Sequence, residues 1–370
     1  MTRRARALFP ALLLVAATRA PVAAQPAPGR VVVQVLDSAG APLANAAVEV
    51  RSSDERASVA RALTDAAGRA RFMLAGGDSV QVAVRRLGHR PARLRLAVPD
   101  VATVRLARVP TRLARVTVRA GPSRCQPGFV PHDADSTIAT LVEAVASYAA
   151  QEAALAQAHP WRATWRYDGR HHAASGAVLH ADSARAFVVD ARDDTLAYAP
   201  GRLVERRGLG YVKARWERVR DLASPVFLAH HCFRHATDAD TALGRSATGI
   251  AFRADRTVRD ADFDGVLLLD TETLEPLKLV LDWVHLPPGF RAMQEVVRFC
   301  RIAPGVSIPV ERHFWQSYST MLLRNDEPVA WSSGERRLEG LDWHATPPPA
   351  IVAPVDLAAC PGARGATARR

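Results

Sequence analysis

The sequence of 370 residues lacks most of the signatures by which an enzyme is recognised. It contains no Gly-x-Ser-x-Gly, no His-Glu-x-x-His and no glycine-rich phosphate-binding loop, so nothing in it indicates a serine hydrolase, a zincin or a P-loop protein. It has only four cysteines and no Cys-x-x-Cys spacing, which disfavours zinc and thioredoxin-like redox sites. We therefore predict no catalytic residues and no cofactor.

Long hydrophobic runs are also scarce. Only one apolar run approaches the length of a membrane span, and its place at the extreme N-terminus excludes a polytopic membrane protein. What is present is ordinary globular composition, with 48% apolar and 23% charged residues, and this excludes wholesale disorder. A chain of this length is sufficient for two domains with cores of their own.

The first 24 residues have the composition of a secretory signal peptide. Arg3, Arg4 and Arg6 precede an uncharged stretch over residues 7–18, and small residues lead up to Ala24. We predict that residues 1–24 are cleaved after Ala24, which leaves no transmembrane span. The exported chain is then expected in the periplasm, at the outer-membrane periphery or outside the cell.

Positive charge is concentrated in one part of the chain. The formal net charge is +12, and residues 30–119 hold 16 Arg against 7 Asp and Glu. Phe72 is the only aromatic residue of that segment, so it lacks the stacking platforms of a nucleic-acid-binding protein, and we predict no nucleic-acid partner. An envelope polymer, a lipid or a protein remains as the expected partner.

Short stretches of alternating or β-branched residues recur through residues 30–119, separated by turn sequences such as Asp37-Ser38-Ala39-Gly40. Ala46, Val48 and Phe72 are predicted to point into a common core. The spacing predicts a β-sandwich of seven short strands: Val31–Leu36, Ala47–Arg51, Ala70–Leu74, Val80–Val84, Leu94–Val98, Val101–Leu106 and Val116–Val118.

The turn and core residues of this module also form a recognisable set of motifs. They are Asp37-x-x-Gly40-x-Pro42-Leu43, Thr64-Asp65-x-x-Gly68-x-x-x-Phe72 and Leu87-Gly88-His89. In this order they resemble the carboxypeptidase regulatory-like domain, and the resemblance implies an immunoglobulin-like or transthyretin-like sandwich over residues 30–119. His89 departs from the family, which usually has an aromatic residue there. In metallocarboxypeptidases this domain only accompanies the catalytic unit, so the resemblance implies no peptidase activity.

Residues 120–160 are predicted to be a linker and one helix. Val104-x-Leu106 and Leu113-x-x-Val116 are similar to the segment that joins such sandwiches to the plug of TonB-dependent receptors, but no barrel sequence follows.

Apolar residues recur at intervals of three and four from Ser136 to Ala158, which predicts a helix with Asp135 as its N-cap. Because the linker is polar and rich in turns, we expect few core contacts between the modules that it joins.

Residues 161–345 are predicted to form a larger antiparallel β-sheet, followed by a Pro- and Arg-rich tail over residues 346–370. All 7 tryptophans lie in this region, which predicts a sheet with one well-filled face. The fold is therefore expected to be mainly β. The principal predicted strands are Val226–Phe233, Gly249–Phe252, Val266–Leu269, Leu277–Val284, Glu295–Ile302 and Val306–Gln316.

Two stretches of the second module resemble envelope proteins. Asp264-Gly265-x-Leu267-x-Leu269-Asp270 resembles the repeat of LolA-like lipoprotein carriers. Together with Phe227-Leu228-x-x-His231-Cys232-Phe233, it resembles the C-terminal region of uncharacterised exported proteins that begin with a carboxypeptidase regulatory-like module. These resemblances imply an architecture and no assigned activity.

Four cysteines in an exported chain predict disulfide bonds and allow three pairings. The resemblance to exported proteins implies a bond between Cys125 and Cys232. Cys300 and Cys360 are then the second pair, which would fix the Pro-rich tail to a strand. The alternative joins Cys232 to Cys300 and Cys125 to Cys360.

His230, His231 and His235 form the densest cluster of chemically capable side chains. On a strand, His231 and His235 would share one face and His230 the other, so at most two of them could bind one metal ion. Arg234 stands where a carboxypeptidase-type His-x-x-Glu motif would need its glutamate. We therefore predict histidines at a strand end rather than ligands, so that changing His231 and His235 to Ala alters stability by about 1 kcal/mol.

Other polar clusters are predicted to be solvated. We assign His171–His172 to a polar turn, Ser332–Gly334 to a loop, and the carboxylates of Asp193–Asp194 and Asp262–Asp264 to turns. The sequence thus favours an exported cell-envelope protein with a non-catalytic binding or scaffolding role. The alternative is a metal-dependent hydrolase, carboxypeptidase-like by its accessory domain, with a site around the three clustered histidines.

Overall fold

A computed structural model describes residues 28–109 except 56 and 77–78, 136–190, 198–207, 210–213, 218–236, 247–324 except 256, 327–344, 347–348, 351 and 360. The predicted signal peptide and most of the predicted linker lie outside these residues. Strands dominate, so the prediction of a mainly β fold is confirmed. None of the described helices combines the length and the apolar character needed to cross a membrane.

The N-terminal sandwich is built from β1 (Pro28–Asp37), β2 (Ala47–Arg51), β3 (Ser58–Leu63), β4 (Arg69–Ala75), β5 (Ser79–Arg85), β6 (Ala92–Ala97) and β7 (Asp100–Leu106). One sheet has the order β4-β1-β7 and the other the order β3-β2-β5-β6. Alternation along the strands fills the space between them. In β4, for example, Ala70, Phe72 and Leu74 are buried and their neighbours are exposed.

The sandwich differs from the predicted one at β3. This strand is absent from the predicted set because it lies at the edge of its sheet and buries only Leu63. Its alternation is therefore too weak to recognise. The predicted strand Val116–Val118 lies outside the described residues.

The single predicted helix is confirmed as α1 (Ser136–Ala158), and its predicted N-cap, Asp135, lies outside the described residues. The buried side chains Leu141, Val145 and Tyr148 recur along one side of α1. The Tyr148 ring meets Phe299 edge-on, with centroids 6.1 Å apart, so α1 covers part of the large sheet.

The second module contains β8 (Trp161–His172), β9 (Val178–Asp190), β10 (Val204–Arg207), β11 (Gly210–Lys213), a 3₁₀ helix (Val219–Ala223), α2 (Pro225–His230), β12 (His231–His235), β13 (Ala247–Ala254), β14 (Asp262–Asp270), β15 (Pro276–Val284), β16 (Phe290–Ala303), β17 (Val306–Arg324) and β18 (Glu327–Trp343). Nine of these strands form one antiparallel sheet in the order β12-β13-β14-β15-β16-β17-β18-β8-β9. The strands β10 and β11 pair separately.

The nine-stranded sheet has two unlike faces. On the core face, Leu279, Leu281 and Val297 are buried in the same cluster as the apolar side of α1. On the opposite face, here called the outer face, exposed polar side chains such as Asp282, Gln294 and Arg170 follow one another across the strands. The sheet therefore packs with one face and presents the other to solvent.

The predicted strand Val226–Phe233 is wrong in its first half. Pro225 opens α2, and the Ser224 side chain accepts a hydrogen bond from the amide of Phe227 at 3.0 Å, which caps the helix. Strand geometry begins only at His231. A buried single helical turn has no visible period, so in the sequence this apolar run has the pattern of a strand.

The two modules share a core. Ala47 and Leu63 of the sandwich are buried in one cluster with Leu155 of α1 and with Ala303 and Val306 of the large sheet. The expectation of few core contacts between the modules is therefore wrong.

Polar side chains of the sandwich also form bonds across the junction with the second module. Arg85 of the sandwich forms an ion pair with Glu143 of α1. The guanidinium of Arg86 donates to the carbonyl oxygen of Pro304 at 2.8 Å, in the β16–β17 turn. The sandwich therefore contacts both the helix and the large sheet through polar as well as apolar groups.

Candidate functional site

His231, the first residue of β12, has a solvent exposure of 0%. Its Nδ1 lies 3.0 Å from the carbonyl oxygen of Phe227, and its Nε2 lies 3.1 Å from that of Phe263. The ring also stacks on Phe227, with centroids 3.7 Å apart. Each ring nitrogen therefore faces a main-chain carbonyl oxygen, and neither is directed at a position for a metal ion.

The carboxylate of Asp262 lies beside this ring. Its Oδ1 is 3.5 Å from Nε2 of His231, and its Oδ2 accepts a hydrogen bond from the Tyr198 hydroxyl at 2.7 Å. Asp262 is completely buried at the start of β14, and Asp264 is the third residue of the same strand, so the assignment of both carboxylates to a turn is wrong. The His231 ring and the Asp262 carboxylate therefore form a buried polar pair in which each group has a further hydrogen-bond partner.

The other two histidines of the predicted cluster lie at the ends of different elements. His230 ends α2, and His235 ends β12, where its Nε2 lies 3.1 Å from Oγ1 of Thr248. Four residues of extended strand separate His231 from His235, which is about 13 Å. The structure therefore does not bring the three histidines around one point.

The cysteines support one part of the predicted pairing. Cys300 and Cys360 form a disulfide with a Cα–Cα distance of 5.4 Å, so the second predicted pair is confirmed and the alternative with Cys232 joined to Cys300 is excluded. Cys232 is also disulfide-bonded. Cys125 lies outside the described residues, and the Cys125–Cys232 bond stays a prediction.

Two polar segments that were assigned to turns or loops are strand residues. His171 and His172 end β8, and Ser332–Gly334 lie within β18. The ring of His172 stacks on Trp331 with centroids 3.5 Å apart. Alternation had been hidden in both segments because neither contains enough apolar residues to show it. Asp193–Asp194 lie outside the described residues.

One group of potential metal ligands does assemble on the outer face. Among the described residues, Glu311, His313 and Glu335 have ligand atoms within 4.8 Å of one another. Glu311 and His313 alternate along β17, and Glu335 of β18 is the cross-strand partner of His313. The alternation was visible in the sequence, but the partner on β18 depends on strand register, which was not.

Arginines already balance the carboxylates of this group. Glu311 faces Arg298 at 3.4 Å and Arg337 at 3.7 Å, and Arg337 also pairs with Glu335. Burial raises the pKa of Glu311, but the interaction with His313 and the charges of Arg298 and Arg337 outweigh it and leave the pKa below its ordinary value. The group is best described as an ion-pair network in which a cation would compete with two guanidinium groups.

Comparison with known proteins supports the assignment of the first module alone. Among solved structures, the chain is similar to one described as the Bacillus anthracis TIE protein, at 8% sequence identity and a TM-score of 0.20. The similarity covers 82% of this chain and 48% of the other, so the chain spans about half the length of that protein. No curated protein matches the sequence. Residues 30–121 match the family model of the carboxypeptidase regulatory-like domain, and this β-sandwich is therefore a carboxypeptidase regulatory-like domain.

Proposed function

We propose that this protein is exported to the cell envelope and has a non-catalytic binding or scaffolding role. In this proposal the sandwich and the nine-stranded sheet act as one rigid unit that presents the outer face to an envelope polymer, a lipid or a protein. The observation that carries the proposal is the core shared by the two modules.

The shared core is apolar and well buried. Leu155 of α1 is 2% exposed and lies in one cluster with Leu63 of the sandwich and Val306 of β17. Domains joined by a polar interface usually move relative to each other, whereas a buried apolar junction holds them in one orientation. A fixed orientation suits a protein that spaces or presents a surface, because no conformational entropy is then lost at the junction on binding.

The use of His231 supports a binding role over the hydrolase alternative. A hydrolytic metal site needs at least three ligands that share one open position. Here the central histidine of the predicted site bonds to two main-chain carbonyl groups inside a core, and His235 bonds to Thr248. These residues serve the fold, so the hydrolase alternative loses the site on which it rested.

The distribution of charge on the outer face also supports a binding role. Charged groups of both signs alternate on it, as in Arg298, Glu311, Arg337 and Glu335. A balanced, solvated sheet face has no strong field to attract a polyanion at long range. It suits a partner recognised by short-range contacts.

Sedimentation with envelope material tests the proposal. Purified full-length protein is mixed with washed envelopes of the source cell, and the bound fraction is measured as the protein concentration increases. We expect saturable binding at moderate salt, and equal binding by His235→Ala, which changes a half-buried side chain at the end of β12. Absence of saturable binding would contradict the proposed role. Turnover of peptide, ester or phosphoester substrates that is lost in His235→Ala would support the hydrolase alternative instead.

A further inference from the structure

Trp315 is an exposed aromatic side chain in the middle of the outer face. It lies on β17 and is 40% exposed, although large aromatic residues of a sheet are usually covered on the face that packs. Most other large apolar side chains of the nine-stranded sheet belong to the core face or to its clusters. Its position is not explained by packing of the fold.

Polar side chains surround Trp315 along one row across the sheet. Its cross-strand partners are Gln294 on β16 and Ser333 on β18, and the row continues to Asp282 and Arg170. Directly opposed residues of an antiparallel pair point to the same face, so all five side chains share the outer face. The Gln294 amide donates to Asp282 at 2.7 Å, which fixes the amide beside the indole.

A second aromatic group borders this row. Trp331 precedes Ser333 by two residues on β18 and therefore lies diagonally from Trp315, within reach of a large side chain. His172 covers one face of its ring, and the His172 Nε2 lies 3.4 Å from the Ser333 hydroxyl. The two aromatic groups and the polar row form a surface that we call the outer-face platform, consisting of Asp282, Gln294, Trp315, Ser333, Arg170, Trp331 and His172.

We propose that the outer-face platform binds a neutral polysaccharide chain, with a sugar ring stacked on Trp315. The inference rests on the proposed binding role and names the class of ligand for it. A sugar ring has an apolar face of C–H groups and a rim of hydroxyl groups. An exposed indole flanked by an amide, a hydroxyl, a carboxylate and a guanidinium matches both parts, because such side chains donate and accept hydrogen bonds around the ring.

The charges of the platform favour a neutral chain over an acidic one. Its row ends in Asp282 and Asp264 on one side and in Arg170 on the other, so it has no excess of positive charge that would attract an acidic chain. A protein partner is less well matched, because protein hot spots lie in well-packed pockets that exclude water, whereas Trp315 is exposed on an open sheet face beside Gln294 and Ser333.

Titration with defined oligosaccharides tests the inference. The full-length protein is titrated with chitohexaose and with maltohexaose, both neutral, and with an acidic oligogalacturonate, while binding is followed by tryptophan fluorescence and by calorimetry. We expect binding of at least one neutral oligosaccharide. Trp315→Ala should weaken that binding about tenfold or more, because a central tryptophan contributes much of the energy of such contacts.

Two further variants separate stacking from general damage. Trp315→Phe keeps an aromatic face and should retain binding within a few-fold. Met73→Ala removes a side chain that is 67% exposed on the sandwich and should leave binding unchanged. Failure of both neutral oligosaccharides to bind, or binding that is equal in wild type and Trp315→Ala, would overturn the inference. Salt-sensitive binding of the acidic oligomer alone would also overturn it.

The two proposals fail in different ways. If the protein sediments with envelopes equally well as wild type and as Trp315→Ala, the binding role stands and the platform is not its site. Sedimentation that falls with Trp315→Ala, and that the neutral oligosaccharide inhibits, supports both proposals.

Discussion

At the scale of single residues, His231 shows how a reactive side chain can be used for structure. Its two nitrogens bond to the carbonyl oxygens of Phe227 and Phe263, and Asp262 lies beside it without exposure to solvent. The bonds join α2, β12 and β14 at one point. A side chain so placed stabilises the fold and has no capacity left for chemistry.

We predict that His231→Ala lowers the free energy of unfolding by about 2–5 kcal/mol, the range for truncating a large, fully buried side chain to alanine. The change removes the buried ring beside Asp262 together with its contacts to the carbonyl oxygens of Phe227 and Phe263. This exceeds the value of about 1 kcal/mol that the sequence alone suggests for this cluster. Denaturant unfolding gives the measurement, and His235→Ala, which loses one bond to Thr248, serves as the control with about 1 kcal/mol. Similar losses in the two variants would contradict the described role of His231.

Glu311 gives a prediction for pH dependence. Its pKa is lowered in the folded protein, so its ionised form stabilises the fold above its ordinary pKa of 4.5, and this contribution disappears as the pH falls through the lower, folded-state value. Glu311→Gln should therefore be less stable than the wild type by about 1–3 kcal/mol at pH 7. The difference should close below pH 4.5. A difference that is constant from pH 7 to acid would show that Glu311 is not an ion-pair partner there.

The burial of individual polar side chains was the property of the site that the sequence predicted least well. Asp262 precedes an apolar strand and has the same local pattern as a solvated turn carboxylate. Its burial depends on Tyr198 and His231, which are distant in the sequence. The ligand group on the outer face was missed for a similar reason, because pairing of His313 with Glu335 depends on register between β17 and β18.

At the scale of elements, long periodic segments were predictable and short ones were not. The apolar spacing of α1 is repeated over 23 residues, and its predicted bounds agree with the structure. The six residues of α2 contain too few turns to show a period, so their apolar side chains resembled a strand. The sandwich strands with strict alternation were also recognised, as in β4.

The Cys300–Cys360 disulfide provides a test at this scale. It joins β16 to the C-terminal segment across a sequence separation of 60 residues. By the chain-entropy relation, a loop of this length corresponds to about 4 kcal/mol. Replacing both cysteines with Ser should lower the free energy of unfolding by up to this amount, measured without reductant. An unchanged unfolding free energy would show that the bond does not constrain the unfolded chain.

The predicted Cys125–Cys232 bond requires a separate measurement. Non-reducing peptide mapping of the purified protein should recover a peptide pair that contains Cys125 and Cys232, because Cys232 is disulfide-bonded and Cys300 is joined to Cys360. A peptide that joins Cys232 to a cysteine of a second chain would contradict the predicted bond.

At the scale of the whole molecule, the junction between the modules determines whether they unfold together or separately. Each module was recognisable from its own pattern, but the core that they share was not, because Leu63, Leu155 and Val306 belong to three separate periodic segments. Sequence periodicity shows which face of an element is apolar. It does not show which other element that face meets.

We predict that Leu155→Ala destabilises both modules together. The side chain is 2% exposed in the shared cluster, and removing it should cost about 2–5 kcal/mol. Hydrogen–deuterium exchange should then show lower protection in β2 and β3 of the sandwich as well as in β17. Val101→Ala, at a position that is 72% exposed, is the control and should change stability by less than about 0.5 kcal/mol.

The sandwich and the nine-stranded sheet are one folded unit if the core that they share holds them together. Hydrogen–deuterium exchange of the full-length protein across a denaturant series measures this directly, with β1 reporting on the sandwich and β15 on the large sheet. We predict that the two strands lose protection at the same denaturant concentration. If one of them exchanges fully while the other remains protected, the modules unfold separately, and the rigid unit on which the proposed binding role rests does not exist.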